Sequence, residues 1–144
     1  VWDVATGQEL AALGWPKGTY AFVHTARFSP DGKRIVTAGV RQGGGSPDYR
    51  FPRLWDAATG KQLMAFKGHE ANWIEVTSAA FSPDGKHVVT TANDRTARLW
   101  DAATGQELAV LRGHGDNIVG GDLIREKSHD EVILAYLSED LNDK

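Results

Sequence analysis

Cysteine is absent from the 144 residues, which excludes disulfide stapling and cysteine-ligated zinc and suits a reducing compartment. Long apolar runs are absent too: no stretch approaches the roughly 18 residues that a membrane-spanning helix requires. The N-terminus has no signal-like pattern, so the expected location is the cytoplasm. An excess of positive charge is also missing. Sixteen basic side chains face 19 acidic ones, for a net charge of −3, which argues against bulk attraction to nucleic acid or to an anionic membrane. The acidic excess sits in the tail, where residues 118–144 carry 3 basic and 7 acidic side chains against 13 and 12 in residues 1–117.

What the chain does have is repetition. Leu54-Trp55-Asp56-Ala57-Ala58-Thr59-Gly60 returns 45 residues later as Leu99-Trp100-Asp101-Ala102-Ala103-Thr104-Gly105, and Val1-Trp2-Asp3-Val4-Ala5-Thr6-Gly7 is a third version. Phe28-Ser29-Pro30-Asp31-Gly32-Lys33 recurs as Phe81-Ser82-Pro83-Asp84-Gly85-Lys86, and Gly68-His69 as Gly113-His114. Self-similarity at this period is the mark of a repeat architecture. The Ser-Pro-Asp-Gly phrases carry turn chemistry, with proline pre-setting φ and glycine taking the left-handed geometry that closes a hairpin. The runs between them, such as Ile35-Val36-Thr37, are rich in strand formers.

The order Gly-His, apolar segment, Phe-Ser-Pro-Asp-Gly, second apolar run, Asp and then Trp-Asp resembles the WD40 repeat, and residues 68–101 carry every element in register. The resemblance covers residues 1–117. It implies an all-β fold of propeller blades, each a four-stranded antiparallel sheet. Residues 1–13 would end one blade, 14–67 form a second with an inserted loop at 40–52, 68–112 form a third, and 113–117 start another. A whole propeller needs at least four blades. Since Val1 falls inside a repeat, the chain is expected to be a fragment of a longer protein.

Residues 118–144 form a divergent acidic tail with two readings. Ser128 and Glu131 suit a capping box, and Ile133, Leu134, Leu137 and Leu141 follow at helical spacing, which favours a short C-terminal helix. The apolar run Val132–Leu137 also suits a degenerate second strand.

His69, Thr90, Asp94 and Trp100 match the positions that form a buried hydrogen-bonded chain in the WD40 family, so a scaffold role outweighs a nucleophile triad. In the preceding blade Trp15 stands where His is expected and Arg41 or Gln42 near where Asp is expected, which implies apolar packing instead. His24, His69, His87, His114 and His129 have no ligand-like spacing, and His129-Asp130-Glu131 suits a charged helix start; no metal is expected. The glycine run 43–45 lacks a following Gly-Lys-Ser/Thr, so no nucleotide or other cofactor is expected.

The family geometry places the crossings between blades and the 40–52 insertion on one rim. That rim would carry Trp15, Lys17, Tyr20, Arg41, Tyr49, Arg50 and Trp73, among which the Trp, Tyr and Arg types dominate interface energetics. Trp15 and Tyr20 also suit filling the space of the missing polar chain. The expected function is a non-catalytic scaffold for protein partners. High identity between adjacent repeats resembles bacterial arrays, which implies as an alternative a sensor or docking module of a signalling enzyme such as a serine/threonine kinase. A short chain that completes its propeller by homo-oligomerisation is a third possibility.

Overall fold

The computed structural model describes residues 1–14, 20–42, 51–69, 74–126 and 129–137, with the backbone alone for 20, 21, 40–42, 119, 122–126 and 129–137. Two four-stranded antiparallel sheets are stacked with a two-stranded one. The first sheet comprises β1 (Tyr20–Phe28), β2 (Arg34–Gln42), β3 (Arg53–Asp56) and β4 (Gln62–Ala65), in that order. The second comprises β5 (Val76–Phe81), β6 (His87–Ala92), β7 (Ala97–Asp101) and β8 (Glu107–Leu111), again in chain order. This is the all-β blade architecture that the repeats imply.

Each repeated phrase forms the same turn. Ser29 Oγ donates to Asp31 Oδ1 at 2.6 Å, and the same carboxylate accepts Lys33 N–H at 3.0 Å. Ser82, Asp84 and Lys86 repeat this at 2.7 and 2.9 Å. Gly32 and Gly85 close these turns at φ 71° and 72°, where a side chain would be strained. Between β3 and β4, Asp56 Oδ1 accepts both the Thr59 N–H at 2.8 Å and its hydroxyl at 2.7 Å. Asp101 with Thr104 and Asp3 with Thr6 do likewise.

The core lies between the sheets rather than inside either one. Val36, Leu54 and Phe66 of the first repeat meet Val76, Ala79, Phe81, Val88 and Trp100 of the next. The Phe66 and Trp100 rings tilt at 47° with centroids 5.5 Å apart. A single sheet has two faces and cannot bury both alone, so stacking supplies the stabilisation. Arg34 bridges the stack, donating from Nη1 to Ala102 O at 3.0 Å and from Nη2 to Gly85 O at 2.9 Å while lying over the Phe81 ring.

The favoured C-terminal helix is overturned. The tail forms an antiparallel pair, β9 (Ile118–Glu126) and β10 (His129–Leu137), with Val132 opposite Ile124 and Ala135 opposite Gly121. His129-Asp130-Glu131 therefore begins a strand and not a helix. Strand β9 packs on β5 and β6, and Thr77 Oγ1 donates to Ile118 O at 2.6 Å. The exposed face of the second sheet needs cover, and a paired strand supplies it.

Two smaller differences concern the ends of the first repeats. Strand β2 continues through Gln42 instead of giving way to a loop at Val40, because β1 is equally long and pairs with it as far as Tyr20↔Gln42. At the N-terminus, residues 1–13, expected to end a blade, form a single bridge, Trp2↔Glu9, and no named strand.

Candidate functional site

His69 lies in the crossing between the two four-stranded sheets and is fully buried. Its Nδ1 lies 2.9 Å from Asp94 Oδ2, in the turn between β6 and β7, and its Nε2 lies 2.8 Å from Thr90 Oγ1 on β6. Trp100 Nε1 on β7 donates to the same hydroxyl at 2.8 Å. The Asp94 carboxylate can only accept, so Nδ1 bears the ring proton of His69 and Nε2 accepts from Thr90 Oγ1, which in turn accepts from the indole. Donation from Nδ1 to Asp94 leaves every polar atom of this hydrogen-bonded network with a partner.

Burial opposes ionisation of Asp94, but the hydrogen bonds from His69 and Thr96 outweigh it and hold the carboxyl at about 2. Thr96 is the member that sequence reasoning missed. Its hydroxyl and N–H both reach Asp94 Oδ1, at 2.7 and 3.0 Å. The signal was present, since a threonine two residues after a turn aspartate is poised for this contact.

The glycine of the Gly-His pair has a steric origin. A Cβ on Gly68 would lie 2.6 Å from Trp100 Cη2 and 2.8 Å from both Arg98 Nη1 and Glu107 Oε2. The backbone passes over the indole edge just before His69 turns inward.

The first four-stranded sheet keeps half of this arrangement. Trp55 Nε1 donates to Thr37 Oγ1 at 2.9 Å, as Trp100 does to Thr90. The expectation of apolar packing alone is therefore corrected: Ile35, Trp55 and Ala57 do form an apolar cluster, but an indole–hydroxyl bond runs through it. Thr37 precedes Thr90 by the same 53 residues that separate Phe28 from Phe81, so its role was legible in the repeat.

Of the expected rim residues, Trp15, Lys17, Tyr49, Arg50 and Trp73 lie outside the described residues. The backbone places Tyr20 and Arg41 at one end of the β1–β2 hairpin, on adjacent pairs Tyr20↔Gln42 and Ala21↔Arg41. Among the described residues no three His, Asp or Glu side chains gather as a metal site would require.

Stacked four-stranded antiparallel sheets, one braced by a His-Thr-Asp-Trp chain, define blades of a β-propeller. Residues 60–101 match the family described as WD domain, G-beta repeat, so that segment is a WD40 repeat. It is similar to WD repeat-containing protein 1 of Bos taurus, with 34% identity over 76 residues covering 53% of this chain and 11% of that protein. It is also similar to the human angio-associated migratory cell protein, 33% identical over 61% of this chain and 22% of that one. Nuclear distribution protein PAC1 of Coccidioides posadasii (strain C735) is 30% identical over 64% of this chain and 17% of its own length. The chain thus spans a minor part of each relative, and all three relatives are eukaryotic.

Proposed function

We propose that these blades act as a protein-interaction scaffold, with no catalysis of their own, and that a partner binds the rim where the crossings and the 40–52 insertion emerge. One observation carries this reading. His69 and Thr90 are 0% exposed and Trp100 is 1% exposed, so the Thr-His-Asp set that resembles a triad is closed to any substrate. Its hydroxyl is already committed to the indole and the imidazole. The polar chemistry of the repeat serves the blade, and partner binding is assigned to the rim. Tyr20, Arg41, Tyr49, Arg50 and Trp73 are the side-chain types that anchor interfaces, and Trp15 and Lys17 belong to the same candidate set.

The test is affinity capture from the native source with three forms of the protein. Replacing Tyr49, Arg50 and Trp73 by alanine is expected to abolish capture of a specific protein that the wild type retains. Replacing Lys33 and Lys86, in the turns at the opposite end of the sheets, should leave capture intact. Equal capture by all three forms would sink the rim assignment.

A further inference from the structure

Seven described residues take a positive φ, and six of them are glycines: Gly7, Gly32, Gly60, Gly85, Gly105 and Gly113. The seventh is Arg95, at φ 61° in the turn between β6 and β7. The left-handed conformation drives Cβ against a neighbouring carbonyl, a clash that glycine escapes and arginine does not. Asparagine and aspartate tolerate it through local hydrogen bonds that a long side chain cannot copy. The chain therefore accepts backbone strain at one turn and avoids it at the others.

That turn is braced on every side. Asp94 meets His69 of the crossing at 2.9 Å and takes the Thr96 hydroxyl and N–H on its other oxygen. Asn93 exchanges two bonds of 3.1 Å with Glu75 at the far end of the crossing, its N–H donating to Glu75 O and its Oδ1 accepting the Glu75 N–H. Arg95 N donates to Ala92 O at 3.3 Å. The conformation of Arg95 is over-determined by its neighbours, which is how a strained residue persists.

Nothing within the described residues repays that strain through the side chain. Arg95 is exposed, and among the described residues its guanidinium has no hydrogen bond or ion pair. Arg98, three residues on, is by contrast engaged by Glu107 at 2.6 Å, and Arg34 by two carbonyls. The carboxylates bordering the turn are engaged as well. Asp94 accepts from His69 and Thr96, and Glu75 lies 2.8 Å from His24 Nε2. An exposed cation on a pre-organised turn is what an outside anion needs, because little ordering is left to oppose binding.

We propose that Arg95 binds an aspartate or glutamate side chain of a partner protein. This rests on the reading of the rim as the partner-binding surface: the β6–β7 turn is the counterpart, in the second four-stranded sheet, of the connection that carries the 40–52 insertion. A guanidinium offers one carboxylate two parallel N–H groups. A phosphate monoester carries nearly twice the charge and is drawn to clustered arginines. Here Arg98 is engaged by Glu107 and the turn itself holds Asp94, so a single negative charge is the better match.

Short random peptides displayed on phage and selected on the wild-type protein supply the probes. The strongest binder is synthesised with its acidic residues intact, changed to amides, or replaced by phosphoserine, and fluorescence anisotropy reads its affinity. The selected peptides are expected to be enriched in Asp and Glu. Arg95→Gly should bind the acidic peptide at least about fivefold more weakly, while its denaturant midpoint stays at or above that of wild type because glycine relieves the strain. The amide peptide should bind both proteins equally. Peptides without acidic enrichment, undiminished binding by Arg95→Gly, preference for phosphoserine, or a lowered midpoint of Arg95→Gly overturns the proposal; a lowered midpoint would mean that the arginine serves the fold. A peptide lost by the alanine variant of Tyr49, Arg50 and Trp73 but kept by Arg95→Gly sinks this inference and spares the rim reading. Binding indifferent to both sets of changes, or no selected peptide at all, overturns both.

Discussion

Arg34 reaches from β2 across the stack to hold two turns of the next repeat, with Nη1 3.0 Å from Ala102 O and Nη2 2.9 Å from Gly85 O. Its planar fork meets two carbonyls at once, a geometry that a single ammonium cannot reproduce. Arg34→Ala is expected to lower the stability by about 2 kcal/mol, the scale of hydrogen bonds from a charged donor. Arg34→Lys should recover less than half of that loss. Urea unfolding of the three proteins decides the matter, and a lysine variant as stable as wild type would show that charge and not the fork matters.

Thr90 is the junction of the buried chain, since its hydroxyl meets both His69 Nε2 and Trp100 Nε1 at 2.8 Å. Thr90→Val keeps the shape and strands two buried polar groups, which should cost about 2–4 kcal/mol. Thr90→Ser restores the hydroxyl and should recover most of it. Thr37→Val removes one bond of the same kind, to Trp55, and is expected to cost about 1 kcal/mol. The ordering Thr90→Val, then Thr37→Val, then Thr90→Ser by denaturant midpoint is the outcome to check.

Asp94 makes the second four-stranded sheet sensitive to acid. Its folded value of about 2 lies below the ordinary 3.8, so it contributes stability above pH 3.8 and loses it as pH falls towards 2. The contribution is on the order of 1–2 kcal/mol after allowance for its partial exposure. Hydrogen bonds from Thr6, Ser29, Thr59 and Thr104 hold Asp3, Asp31, Asp56 and Asp101 low as well, with the same sign. Asp94→Asn should flatten the fall in stability between pH 4 and pH 2, as thermal melts across that range would show. A profile as steep as wild type would exclude Asp94 as a principal cause.

Gly68 tests the packing beneath the His69 crossing. In Gly68→Ala the new methyl must displace the edge of Trp100 together with the Arg98–Glu107 pair, which meets at 2.6 Å. A loss of about 1–3 kcal/mol is expected, with a changed tryptophan emission. Unaltered emission and midpoint would mean that the indole yields freely.

Repetition makes most of the fold legible in the amino-acid sequence. The turns at Ser29–Gly32 and Ser82–Gly85 and the tryptophans of β3 and β7 follow from phrases that recur in register, and the His69–Asp94 contact from the resemblance to the WD40 repeat. The tail is not legible in that way. Val132–Leu137 is too short for its periodicity to separate helix from strand, and Ser128 with Glu131 adds a helical signal of purely local origin. The rim assignment rests on sequence for Tyr49, Arg50 and Trp73, which lie outside the described residues.

Strand order, turn geometry and the hydrogen-bonded chain are each set by residues within one repeat of one another, so the sequence suffices for them. Tertiary packing was needed to decide that residues 118–126 and 129–137 pair as strands and that Trp2 and Phe28 stand open while their counterparts are buried. A blade buries its faces only against its neighbours. A segment at the end of the stack therefore takes its conformation from the sheet beside it and not from its own propensity.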